Sequence, residues 1–180
     1  PLRPGWGAVA LPRPDPGRQP AGAALRPDRA PWDHPLVAHV PERVRDGLAA
    51  LHHERRWFYD LAERLPRTIC HLDVWPNNLF GREDGGIDLV DWSFTGDGAL
   101  GEDPGNLVPD SVFAGFLPAA QLPELDRLVW AGYRDGLGAS GWDGDVRLAR
   151  LGMCASAVKY HWLAPLMLSK LHDDTHLGYG

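Results

Sequence analysis

The residues of this chain best placed to do chemistry are His71, Asp73 and Asn78, within His71-Leu72-Asp73-Val74-Trp75-Pro76-Asn77-Asn78. Phosphoryl transfer to a hydroxyl needs a carboxylate that orients the hydroxyl, and oxygen ligands for a divalent cation. The pattern H-x-D-x-x-x-x-N supplies an Asp for the first task and an Asn for the second. A further acidic element, Ile87-Asp88-Leu89-Val90-Asp91-Trp92, reads as a short buried strand that delivers Asp91 to its end, where a metal ligand would sit. With 8 His, 18 Asp and 3 Asn in 180 residues, a shuffled chain is expected to contain about 0.013 copies of the first pattern. The match is therefore not a product of composition.

On these motifs the chain resembles the aminoglycoside phosphotransferase and choline kinase-like superfamily, whose members carry an HGD…N loop followed by a strand ending in DW or DF. The segment Leu100-Gly101-Glu102-Asp103-Pro104-Gly105-Asn106-Leu107 is similar to the family's GDPxxDLA stretch. Two departures stand out: Leu72 replaces a Gly, and Asn106 replaces an Asp. The resemblance covers about residues 37 to 175, with its specificity concentrated in residues 71 to 107.

The resemblance implies an α+β, mainly helical domain laid out as a protein kinase-like C-terminal lobe. It implies Asp73 as the catalytic base, His71 as a brace of the loop, and Asn78 and Asp91 as ligands of Mg²⁺ and the nucleotide. ATP or GTP would be the phosphoryl donor. The acceptor would be a hydroxyl of a small molecule: an aminoglycoside, an amino alcohol such as choline, or a sugar derivative. The family's N-terminal lobe, with its sheet and phosphate-contacting Lys, is not expected here. The only lysines, Lys159 and Lys170, follow the loop, so this chain alone is expected to be incomplete as a kinase, and a non-catalytic ligand- or partner-binding domain is the alternative.

Composition sets the outer bounds. A chain of 180 residues suits one domain, and 44% hydrophobic with 23% charged residues is ordinary for a globular protein. A net charge of −6 gives no electrostatic case for nucleic acid and would suit a cationic acceptor. Two cysteines, Cys70 and Cys154, suggest neither a disulfide scaffold nor a zinc site. Cys70 reads as a small core residue. No early stretch reads as a signal peptide or a membrane span, so no membrane partner and a cytoplasmic location are expected.

Residues 1 to 35 hold 9 of the 17 prolines and read as an irregular or linker segment, with the catalytic domain over 36 to 180. Gly5-Trp6-Gly7 lacks the strand–turn–helix context of a phosphate loop. Apolar residues at near-helical spacing predict a helix over about 41 to 64, ended by Pro66. Thr68-Ile69-Cys70 is expected as a buried strand, and residues 77 to 80 and 87 to 90 as the strands of a hairpin. Asp103-Pro104 reads as an N-cap and first helical residue, opening a helix to about Phe116. A further helix is expected over Leu122 to Leu137, with apolar Leu125, Leu128, Val129 and Tyr133. A last one runs from Asp143 or Asp145 to about Leu171, kinked at Pro165.

Other residues are weaker candidates for chemistry. Asn77 sits one position off the Asn spacing. Trp92 is expected to pack under Asp91 rather than to stack on substrate, and Asp88 to point to solvent by strand alternation. His52 and His53, on adjacent helical positions, face different directions and make a poor metal pair. His172-Asp173-Asp174-Thr175-His176 reads as a solvated chain end rather than a chelate. Asp97, Glu102 and Asp103 are the acidic groups that could meet a cationic acceptor.

Overall fold

The computed structural model describes residues 32–35, 37–162 and 168. They form an α+β fold in which helix predominates. Four α-helices are present among them: α1 (Glu42–Ala62), α2 (Glu102–Phe113), α3 (Leu122–Ala139) and α4 (Val146–Ala157). Four short strands accompany them: β1 (Arg67–Cys70), β2 (Leu79–Gly81), β3 (Ile87–Leu89) and β4 (Gly96–Ala99). No helix among the described residues is long and apolar enough to cross a membrane.

The chain divides into two compact units. The described residues of one run from Asp60 to Ala157; the other comprises described residues 32 to 59 together with 158 to 162 and Leu168. In the second unit Arg45 of α1 gathers the turns that precede it. Its guanidinium donates to the carbonyls of Val40 and Ala38, each at 2.8 Å, and stacks 5.4 Å from the Trp32 ring centre.

The first unit carries two separate antiparallel ribbons rather than the single one expected. In one, β1 pairs with β4, from Arg67 opposite Ala99 to Cys70 opposite Gly96. In the other, β2 pairs with β3, Leu79 opposite Leu89 and Gly81 opposite Ile87. Gly96-Asp97-Gly98-Ala99 has neither β-branched nor aromatic residues, so propensity gives no sign of β4. Pairing with β1 and the Arg67–Asp97 ion pair at 2.7 Å hold it in place. The predicted strand at residues 77 to 80 begins later, because Pro76–Asn78 close a 3-10 turn in which the Asn78 N–H donates to Trp75 O at 2.9 Å. Neither ribbon is buried as expected: Ile69 is 78% exposed and Ile87 65%. Cys70 alone of β1 enters the core.

That core forms where α2 crosses α4 over the end of β4. Ala99, Leu100, Val108, Ala149, Met153 and Ala155 are buried there. Small residues allow the approach. A Cβ on Gly105 would lie 2.4 Å from Met153 O, and one on Gly152 would lie 2.1 Å from Leu100 O. Helix α3 buries no residue completely, and Leu128, expected inside, is 53% exposed. Polar contacts attach α3 instead. Tyr133 Oη accepts the Gly101 N–H at 2.9 Å, and Asp126 takes both terminal nitrogens of Arg150 at 2.9 and 2.6 Å. Helix α4 ends at Ala157 and continues as a 3-10 turn, Val158–Trp162. The expected continuation to Leu171, with its kink at Pro165, lies outside the described residues.

Gly101 and Gly141 both adopt positive φ, 98° and 79°. A Cβ on Gly101 would lie 2.2 Å from Ala149 O, whereas one on Gly141 meets nothing. Gly141→Ala is expected to cost about 1 kcal/mol of backbone strain, and Gly101→Ala about 3 kcal/mol or more because a backbone must also move. Paired denaturant titrations measure the difference; equal losses would mean that the α2–α4 approach is not tight.

Candidate functional site

Asp103 does not cap α2. The helix starts one residue earlier, at Glu102, with Gly101 in the left-handed region as its cap. From the first turn the Asp103 carboxylate instead reaches the loop after β1, where Oδ2 accepts the His71 N–H at 2.9 Å and Oδ1 the Leu72 N–H at 2.8 Å. Both loop amides are thereby satisfied by one charged group, a stronger bond than a neutral acceptor gives. The clamp coincides with a strained conformation: Leu72 has φ 66°, in the region that favours Gly. The Leu for Gly departure thus falls on a position where the backbone would suit Gly better.

His71 is 1% exposed, and both ring nitrogens are used. Nδ1 accepts the Asp73 N–H at 3.2 Å, so the proton of the neutral ring sits on Nε2, which donates to Val90 O at 2.8 Å. The imidazole therefore braces the loop against the end of β3. The Trp92 ring meets it edge-on, with centres 4.8 Å apart, and the indole N–H donates to Leu89 O at 2.8 Å. Trp92 thus packs beside the residues that carry Asp91.

Asn78 is buried, whereas Asn77 is exposed. The Asn78 Nδ2 donates to Asp73 O at 2.9 Å and to Asp73 Oδ2 at 3.0 Å, which leaves the amide oxygen as a neutral ligand group. The Asn78 carbonyl accepts the Val90 N–H at 3.0 Å. Val90 is therefore bonded on one side to Asn78 and on the other to His71, which fixes the residue immediately before Asp91. Asp91 itself is exposed and left-handed, φ 60°, with Oδ1 accepting the Ser93 hydroxyl at 2.6 Å. The structure brings His71, Asp73 and Asn78 into one hydrogen-bonded group and attaches the Asp91 segment to it through Val90. Among the described residues, no three His, Cys, Asp or Glu side chains converge as a metal cage. A carbonyl oxygen from Asn78 and a carboxylate from Asp91 are nonetheless the ligand types that Mg²⁺ takes, with water or phosphate oxygens completing its shell.

The acidic groups considered for a cationic acceptor are engaged elsewhere. Asp97 pairs with Arg67, Glu102 accepts the Ala99 N–H at 2.9 Å, and Asp103 clamps the loop. Asp88 is exposed and pairs with Arg82 at 3.1 Å. Asn106, the second departure, is 1% exposed with neither side-chain polar atom hydrogen-bonded. Sequence reasoning missed the Asp103 clamp because Asp-Pro at a helix start also fits an ordinary cap. His172 to His176, and Gly5 to Gly7, lie outside the described residues.

No family model matches this chain, and neither does any curated protein or solved structure.

Burial, with the Asp103 and Glu102 carboxylates adding to it, pushes the Cys70 thiol up to about 12. Only the thiolate reacts with alkylating reagents. At pH 8 one thiol, the exposed Cys154, is expected to alkylate in the folded protein and Cys70 only after unfolding, as counted by mass spectrometry. Prompt loss of both would contradict the packing under the loop. Asp103→Ala removes the acceptor of two part-buried amides and is expected to cost about 3 kcal/mol, with Asp103→Asn costing about half of that. Urea titration measures both; an unchanged midpoint for Asp103→Ala would mean that water replaces the carboxylate freely.

Proposed function

We propose that this chain contains the catalytic loop of a small-molecule phosphotransferase, taking a phosphoryl group from ATP or GTP to an alcohol acceptor in a domain related to the kinase C-terminal lobe. The observation that carries the reading is the hydrogen bond between Asn78 and Asp73, with the residue before Asp91, Val90, bonded to the Asn78 carbonyl.

Each residue has a separate task. The Asn78 amide holds one oxygen of Asp73, fixing the carboxylate plane and leaving the other oxygen to accept a hydrogen bond from the acceptor hydroxyl. Asp73 then takes that proton late, as the oxygen–phosphorus bond forms and the bond to the departing nucleoside diphosphate breaks. His71, bonded at both nitrogens to backbone groups, keeps the loop in place and transfers no proton itself. Asn78 and Asp91 would hold Mg²⁺, which when bound offsets negative charge on the transferring phosphate. A cationic acceptor suits the acidic chain.

A second reading is a ligand-binding domain without catalysis, and Asp91, whose Oδ1 already accepts the Ser93 hydroxyl, is the residue on which the two readings divide.

Calorimetric titration with ATP, with and without Mg²⁺, tests both readings. Saturable binding that requires Mg²⁺ is expected, abolished by Asp91→Ala. Asp73→Asn should keep that binding and lose transfer to an amino-alcohol or aminoglycoside acceptor by about a hundredfold or more. Binding without transfer by the unaltered chain favours the second reading, and no binding at millimolar nucleotide overturns the first.

A further inference from the structure

The second unit holds a contact that phosphoryl transfer does not use. His52 lies on α1 and is 7% exposed; His161 lies in the 3-10 turn Val158–Trp162 and is half-buried. Their Nδ1 atoms face each other at 3.2 Å, with ring centres 5.2 Å apart and planes at 60°. The two residues are 109 positions apart in the chain, so this is a tertiary bond that fastens the turn to the helix.

Its proton count is restrictive. A bond between two Nδ1 atoms needs one nitrogen with a proton and one without. Two neutral rings satisfy this, and so does one charged ring donating to one neutral ring. Two charged rings cannot, because both nitrogens would then carry protons and two cations would face each other at hydrogen-bond distance.

Among the described residues, the groups nearest the pair are these, and Arg55 is the one that opposes added positive charge on His161. On α1, the Arg55 guanidinium donates to the His52 carbonyl, the His53 ring lies 6.1 Å from that of His52, and the Tyr59 ring lies 6.2 Å from that of His161. Glu54 and Asp60 of the same helix are exposed. On the turn, Lys159 lies 5.2 Å from the centre of the Tyr160 ring. Burial, then the second imidazole, then Arg55 push the His161 pKa down to about 4.

We propose that the His52–His161 contact is an acid-released latch, holding the turn Val158–Trp162 against α1 at neutral pH and freeing it on acidification. The sign comes from the depressed value. A released His161 titrates near the ordinary 6.5, whereas the latched ring resists protonation down to about 4. The contact therefore contributes fully above pH 6.5, and its contribution is lost as pH falls from there towards 4. A second imidazole rather than a carboxylate as partner gives the device this direction, since a carboxylate would hold a charged ring more tightly in acid.

Ring-proton NMR of the whole chain over this pH range tests the latch without any substitution. Two histidines recognised by a mutual Overhauser contact are expected, one of them titrating at least one pH unit below the ordinary 6.5. Histidines that all titrate near 6.5, or that share no contact, would overturn the proposal. Hydrogen exchange gives the second arm, corrected for the intrinsic effect of pH. Between pH 7 and pH 5 the amides of residues 158 to 162 are expected to lose protection about tenfold. In His161→Asn, which keeps a neutral amide at that position but cannot titrate, the loss should disappear. Equal loss in both proteins would mean that acid acts on the turn by another route.

Discussion

One carboxylate sets the geometry of the candidate site. Asp103 stands in the first turn of α2 and takes the amides of His71 and Leu72, so the helix and the loop cannot move independently. The strained Leu72 backbone persists under that restraint. The contacts further along the loop depend on it: His71 reaches Val90, Asp73 reaches Asn78, and Asn78 returns to Val90. Removing the clamp would loosen a set of contacts that otherwise support one another.

The supporting layer beneath is polar where it meets the loop and small where it meets the helices. Glu102 satisfies the Ala99 amide and Tyr133 the Gly101 amide, so the junction between β4 and α2 leaves few backbone groups to water. The unpartnered amide of Asn106 is the exception. Burying such a group without a bond opposes folding by about 1 to 3 kcal/mol, and nothing in the structure explains why this side chain occupies the site.

Much of this arrangement is legible in the residues, and the reasons for the rest are specific. Periodicity locates α1 to within two residues at each end, because its apolar positions recur at helical spacing. Spacing singles out Asn78 over Asn77, and it is Asn78 whose side chain is buried and bonded to Asp73. By contrast, β4 is built of Gly, Asp, Gly and Ala, and a strand held by a partner rather than by its own side chains leaves no local mark. The same limit hides the role of Asp103, whose partners lie 31 and 32 residues earlier in the chain. The burial expected of the strands is wrong for a related reason: an apolar triplet reads the same at a surface ribbon as in a core.

The close approach of α2 and α4 has a consequence for how this chain can change. A Cβ at Gly105 would meet the Ser156 hydroxyl and the Met153 carbonyl, and one at Gly152 the Leu100 carbonyl, so backbone stands in the way at both positions. No rotamer can absorb an added methyl group there, and the helix carrying Asp103 would have to translate. Variation in the outer residues of α3, by contrast, meets solvent. The chain is thus permissive on one flank of α2 and nearly rigid on the other, and a substitution on the rigid flank would reach the loop by moving the helix as a whole.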